Sequence, residues 1–276
     1  MRDAVRACRV LAACLSFKPG RLACGRFNPF VSVAVPPLLR LQTVWLPTWW
    51  GWLALLAASS ATLLTLAFTA NAWLAPNQPL GTRAAGGADT ARILIVEGWL
   101  DEADLMQAIA AFRRGHYERI VTTGGPIDGW TDLQPWRSFA ERSASFLKQR
   151  GLGGVRIDAV PAPASAQDRT FLSAVMVRDW AQRSGVTLSR VDLFSAGVHA
   201  RRSHRLFQMA FGPNVEVGVL ASRPLNFDPD HWWRSSAAAK AVLGEVVSMA
   251  WTSCCFWPPV PGSHEERWAQ PAATPR

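Results

Sequence analysis

The chain has 276 residues, 29 Lys+Arg against 20 Asp+Glu, 49% hydrophobic residues and 14 Trp, with a slightly positive mean hydropathy. That length suits one domain of ordinary size plus extra segments, and the low 18% share of charged residues excludes a disordered or nucleic-acid-tail protein. The net charge of +9 is uneven: residues 1–40 hold seven basic side chains and one acid, residues 41–82 hold no charge, and residues 83–276 are nearly balanced. A balanced domain lacks the electrostatic footprint of a nucleic-acid binder, so no nucleic-acid partner is expected.

Residues 1–44 carry Arg2, Arg6, Arg9, Lys18, Arg21, Arg26 and Arg40, show no clear periodicity and read as an irregular basic segment. The uncharged run after them predicts a transmembrane anchor over 45–75. Its apolar core, from about Trp50 to Trp73, exceeds the roughly 20 helical residues that cross a bilayer's hydrocarbon layer. Trp45, Trp49, Trp50 and Trp52 at one end and Trp73 at the other suit interfacial aromatic belts. The basic bias before the span keeps the amino terminus in the cytoplasm and exports the residues after the span. This places the chain in the inner (cytoplasmic) membrane with one span and a periplasmic or otherwise extracytoplasmic domain. Ala70-Asn71-Ala72 resembles a signal-peptidase site, but 40-odd residues before the apolar core are too many for an ordinary signal peptide, which favours an uncleaved signal anchor.

A Pro/Gly/Ala linker is expected over 76–90, then an α/β domain over 91–257. Ile93–Val96 is a short continuous apolar run, the mark of a strand buried on both faces. Asp101–Arg114 reads as a helix with acids at its start. Arg119–Thr123 is a second strand ending in Gly124-Gly125-Pro126, and Pro135–Arg150 a helix closed by Gly151. A strand over 155–160, a helix over 170–184, a strand over 191–194, a helix over 199–211, a strand over 215–220 and a helix from Ser235 to about Cys255 complete the alternation. Strands alternating with single helices imply an α/β fold: a Rossmann-like three-layer sandwich around a mainly parallel five-stranded sheet. The last helix is apolar enough for a second membrane contact, but Lys240 and Glu245 interrupt it and favour a core helix. Residues 258–276 read as a disordered tail.

Cys8, Cys14 and Cys24 precede the span, and Cys254-Cys255 are adjacent residues whose direct bonding would be strained. Residues 75–253 contain no cysteine, which removes a disulfide framework and a thiol nucleophile from the domain, and no Cys/His spacing suggests a metal. Neither a Gly-x-Ser-x-Gly elbow nor a dinucleotide fingerprint occurs, so neither a standard serine hydrolase nor a dehydrogenase is expected and no cofactor is implied.

In open parallel sheets ligands bind beyond the carboxyl ends of the strands. Those ends carry Glu97-Gly98-Trp99, Gly124-Gly125, Asp168-Arg169-Thr170 and Ser195-Ala196-Gly197 followed by His199 and Arg202. His199, Arg202, Leu206 and Met209 share one helical stripe, and Arg201, His204 and Arg205 add titratable groups to the same turns. Cations at a helix amino end oppose its dipole unless an anion sits there. Arg169 and Arg202 are therefore candidate anion ligands, or partners of Asp168, Glu97 or Glu141. Gly124 and Gly125 offer close backbone approach and N–H donors, and Asp168 and Thr170 are ligand candidates or helix caps. His199 with Glu97 or Glu141 are candidates for moving protons. Trp232-Trp233-Arg234 lines a pocket, anchors the last helix or meets a partner.

The order of these pieces resembles the YdcF/ElyC/SanA family of envelope-associated bacterial proteins over about residues 90–252. The likeness rests on Ile95-Val96-Glu97-Gly98, Gly115-His116-Tyr117, Val121-Thr122-Thr123-Gly124-Gly125, Glu141, Thr170 with Ala174, and Ser195 with His199-Ala200-Arg201-Arg202. Leu172 and Ser173 stand where the family has Glu and Asn, which marks a divergent branch. The resemblance implies a Rossmann-like domain, often behind one membrane anchor, with a role in cell-envelope or peptidoglycan-related processes. The expected function is binding of an anionic, phosphate-bearing or nucleotide-like ligand, with Gly98, Gly124, Gly125, Asp168, Arg169, Thr170, Ser195, Gly197 and Arg202 around it. If there is turnover, it is transfer or hydrolysis on a phosphate-bearing envelope precursor. The alternatives are a binding module without turnover and an assembly factor that meets envelope proteins.

Overall fold

The computed structural model describes residues 46–81, 93–127, 135–165 and 168–267. The chain divides into residues 1–48 and 49–276, and the second unit carries the fold. The basic amino-terminal segment, residues 82–90 of the expected linker and residues 268–276 of the expected tail lie outside the described residues.

Helix α1 (Trp49–Leu74) has 26 residues without a charge and is long and apolar enough to cross a membrane. Thr62, Thr65 and Thr69 return their hydroxyls to carbonyls one turn back, so the helix exposes no unsatisfied threonine hydroxyl along its length. At about 1.5 Å per residue it is about 39 Å long, roughly 9 Å more than the hydrocarbon layer. The surplus has a structural use, because the last two turns pack on the domain.

The domain is an α/β sandwich. Strands β1 (Ile93–Glu97), β2 (Arg119–Gly124), β3 (Arg156–Pro161), β4 (Arg190–Ser195) and β5 (Glu216–Ala221) form one all-parallel sheet in the order β3-β2-β1-β4-β5. Alternate residues of the central strands point to opposite faces. Leu94 and Val96 join Leu105 and Ile109 of α2 (Glu102–Arg114) and Leu147 of α3 (Phe139–Leu147). Ile93 and Ile95 join Phe171 and Val175 of α4 (Arg169–Arg183) and Phe207 of α5 (Ala200–Phe211). Both faces of β1 are therefore covered, which is why it reads as an unbroken apolar run.

Local chemistry sets the helix starts. Asp101 caps α2 through the Asp104 N–H at 2.8 Å. Helix α3 starts at Phe139 rather than Pro135, because Ser138 and Glu141 form a capping box and Ser138 is also bridged to Pro126. It gives way after Leu147 to a wider turn over Lys148–Leu152, where Gly151 takes φ 103°.

Three segments differ from their sequence-based expectations. The described part of the linker is docked: Gln78 bridges antiparallel to Val219 at the β5 edge, and Leu80 N, Gly81 N and the Tyr117 hydroxyl all donate to buried Asp192. Burial and the neighbouring Asp192 carboxylate push the Tyr117 phenol well above its usual pKa. Residues 259–267 pack back on the domain, where buried Glu266 accepts from both terminal nitrogens of Arg178 at 2.7 Å. Helix α6 (Ser236–Cys254) buries Ala238, Val242, Met249 and Thr252 but exposes Leu243, Val247 and Trp251, so only one of its faces belongs to a core. Cys254 and Cys255 are joined by a disulfide at its end.

Candidate functional site

The strand order reverses between β1 and β4, and Glu97 closes β1 at that point. Its carboxylate is buried and accepts hydrogen bonds from the hydroxyls of Ser195, at the end of β4, and Ser203, one turn into α5, the latter at 3.0 Å. Ser195 thus serves Glu97. Ser203, unremarked in the sequence, accounts for the second oxygen of this buried carboxylate.

A cavity of about 480 Å³ opens above the carboxyl ends of β1, β2 and β3. Glu97, Gly124, Gly125, Arg169 and Thr170 line it, together with Trp99 and Phe139. The α4 amino end forms one wall, so its N–H groups and dipole favour negative charge there. Gly124 is required by packing, since a Cβ there would fall 2.9 Å from the Phe139 Cβ, whereas one on Gly125 would meet nothing nearer than 3.9 Å. Gly98 is not part of the lining. It is wedged between strand and helix, where a Cβ would lie 2.6 Å from the Phe139 carbonyl oxygen, and its own carbonyl accepts from the Ser143 hydroxyl at 2.7 Å.

His199 and Arg202 stand beside this cavity rather than in its wall. His199 belongs to a short 3-10 turn, Gly197–His199, that precedes α5. Its Nδ1 lies 2.9 Å from Glu245 Oε1 of α6, its Nε2 lies 3.5 Å from the Thr170 hydroxyl, and Trp99 meets its ring edge-on. Arg202 faces the same Glu245 with Nε and Nη2, at 2.8 and 3.0 Å. The guanidinium is therefore paired with Glu245, not with Asp168, Glu97 or Glu141. Burial pushes the Glu245 carboxyl up, but the hydrogen bonds and charges of His199 and Arg202 outweigh it and hold it at about 2. In the sequence Glu245 reads only as an interruption of an apolar helix. A single acid in such a helix is itself the signal of a partner.

Asp168 sits at the start of α4 in the left-handed region, φ 50°, and its side chain makes no cap bond. Burial raises its pKa, with Arg202 acting in the opposite direction. Glu141 lies outside the cavity and accepts from the Arg137 and Ser138 N–H groups, which explains it as a cap. Gly197 lines a second cavity of about 350 Å³ beyond Trp99, to which His199 and Glu245 also contribute. Trp232 and Trp233 line neither cavity. The Trp232 indole donates to the Ala67 carbonyl at 3.0 Å and Trp233 packs edge-on against Phe68, so the pair anchors α1 to the domain. Among the described residues no cluster of three or more His, Cys, Asp or Glu is arranged to hold a metal ion.

Fold and strand-end cavity together define a Rossmann-like α/β protein preceded by one helix long and apolar enough to span a membrane. Compared with models of known protein families and with curated proteins, the chain matches none.

Proposed function

We propose that this protein is a membrane-anchored α/β domain, exported beyond the cytoplasmic membrane, that binds a phosphate-bearing or nucleotide-like ligand in cell-envelope biogenesis. The observation that carries the reading is the meeting of Gly124-Gly125, Arg169 and the α4 amino end around one cavity at the carboxyl edge of a parallel sheet. Backbone N–H groups, a helix dipole and a guanidinium all favour an anion at that place. Its volume lies within the roughly 300–1,000 Å³ usual for small-molecule sites. The resemblance to the YdcF/ElyC/SanA family supports the envelope role, and the basic residues before α1 support export.

Turnover, transfer or hydrolysis at the phosphate group, is assigned to His199. Glu245 is its positioning residue: it holds the imidazole so that Nε2 addresses the Thr170 hydroxyl on the cavity wall. Glu97 is the second proton-handling group, buried at the cavity floor. Arg202 acts through Glu245 and, with its Nη2 2.9 Å from the His199 Nδ1, on the imidazole itself rather than on the ligand.

The test is calorimetry on the full chain in lipid nanodiscs, with inorganic phosphate, pyrophosphate and nucleoside diphosphates as probes. At least one probe binds, and Arg169→Gln weakens it about tenfold or more, since a charge-assisted hydrogen bond contributes about 1.5–3 kcal/mol. Binding of none, or affinity indifferent to Arg169, sinks the proposal. His199→Ala abolishes turnover and spares affinity in an enzyme; loss of both together identifies a module that only binds.

A further inference from the structure

The outer face of α6 is the least expected surface of the domain. A helix packed by one face on a domain in water normally turns charged side chains outward. Here Leu243, Val247 and Trp251, at i, i+4 and i+8, are 56%, 69% and 49% exposed, with Val246 beside them. Lys240 is the single charge on that outer stripe. Trp257, three residues past the end of α6, is 82% exposed. Contiguous exposed apolar surface of this kind marks a surface that meets a partner or a membrane.

Its position narrows the choice. The buried face of α6, through Ala238 and Val242, packs in one cluster with Ala67, Ala70 and Leu74 of α1. Counting about 20 residues of hydrocarbon from the Trp49–Trp52 belt brings the far boundary of the bilayer to about residue 70. The α1 residues that touch the domain therefore lie at the depth of that boundary. Trp73 is held there by Arg201, whose guanidinium stacks 4.6 Å from the indole, and Trp232 and Trp233 join it through Ala67 and Phe68. Tryptophan is the residue that prefers this depth.

We infer that α6 is an interfacial helix: its outer stripe of Leu243, Val247 and Trp251 rests in the headgroup–acyl boundary of the bilayer that holds α1. The occupant is lipid. Continuity with the membrane helix and an outer stripe with one charge, a Lys able to extend its ammonium outward, select the bilayer over a polar partner. The docked strap at Gln78–Gly81 leaves little slack between anchor and domain, so the sheet is held close to the membrane surface. This inference rests on α1 spanning the membrane, and the experiment separates the two.

The unmodified full chain is reconstituted in phosphatidylethanolamine/phosphatidylglycerol vesicles containing a lipid with an acyl-chain diazirine, irradiated, and its adducts mapped by mass spectrometry. Adducts on α1 between Leu53 and Leu66 report the span, and those between Leu243 and Trp251 report the docking. The exposed Gln182–Ser184 segment at the far end of α4 is the reference. The α6 segment is labelled about fivefold or more above that reference, and Leu243→Glu with Val247→Glu lowers its labelling to the reference level while α1 stays labelled. Labelled α1 with unlabelled α6 overturns the docking alone. Absence of label on both overturns the span as well. Chain-to-chain cross-links through Lys240 with α6 unlabelled show that a second copy covers the face, which also overturns the inference.

Discussion

A carboxylate placed within an apolar helix has to find partners, and Glu245 finds the Arg202 guanidinium and the His199 imidazole. Its depressed pKa, about 2 against an ordinary 4.5, means that the charged form is bound more tightly in the folded state. The stability it supplies is fully present above pH of about 4.5 and is lost as pH falls toward about 2. In urea titrations Glu245→Gln is less stable than the parent by about 2 kcal/mol at pH 6, and that gap closes across this acid window. A gap unchanged down to pH 2 contradicts the pairing. Glu141 makes the opposite point, because its partners are two backbone N–H groups of its own cap. Glu141→Ala costs about 1 kcal/mol in denaturant titration and leaves ligand affinity unchanged; a selective loss of affinity instead returns Glu141 to the ligand site. The residues at the strand ends were legible in the sequence because parallel sheets put polar and glycine residues there. Which carboxylate meets which cation was not, since Glu245 stands 43 positions from Arg202 and no periodicity links them.

Elements were legible to the extent that each is governed by its own neighbours. The unbroken apolar run of β1, the acid-rich start of α2 and the alternation of strand with helix are local signals, and the sheet confirms them. Helix α3 begins later than its sequence suggests because Pro135 is a plausible first-turn residue, whereas the cap is made by Ser138 with Glu141. Apolar character of α6 was visible too. That one face packs on α1 while the other stays exposed depends on contacts with distant segments. Gly98 illustrates packing between elements: strand β1 and helix α3 approach so closely that any side chain collides with the Phe139 carbonyl. Gly98→Ala therefore lowers the melting temperature by several degrees, about 2 kcal/mol, through overpacking. A variant as stable as the parent shows that the approach is looser.

At the scale of the molecule, the strap from Asn77 to Gly81 ties anchor to domain. Asp192 accepts from two strap N–H groups and from Tyr117 with no water to replace any of them. Asp192→Ala strands those donors and costs about 3 kcal/mol in chemical denaturation, with faster hydrogen exchange at Leu80 and Gly81; exchange at the parent rate refutes the tie. Composition and pattern alone settled that the chain has a long uncharged apolar helix and an α/β domain of alternating elements, because both follow from the distribution of apolar residues along the chain. Only the tertiary structure decided that a stretch rich in Pro and Gly is bound to a sheet edge, that Arg169 lines the cavity while Arg202 is paired beside it, and that α6 turns an apolar face outward. Those outcomes depend on which surfaces remain uncovered once distant segments have met, and a linear pattern does not encode that.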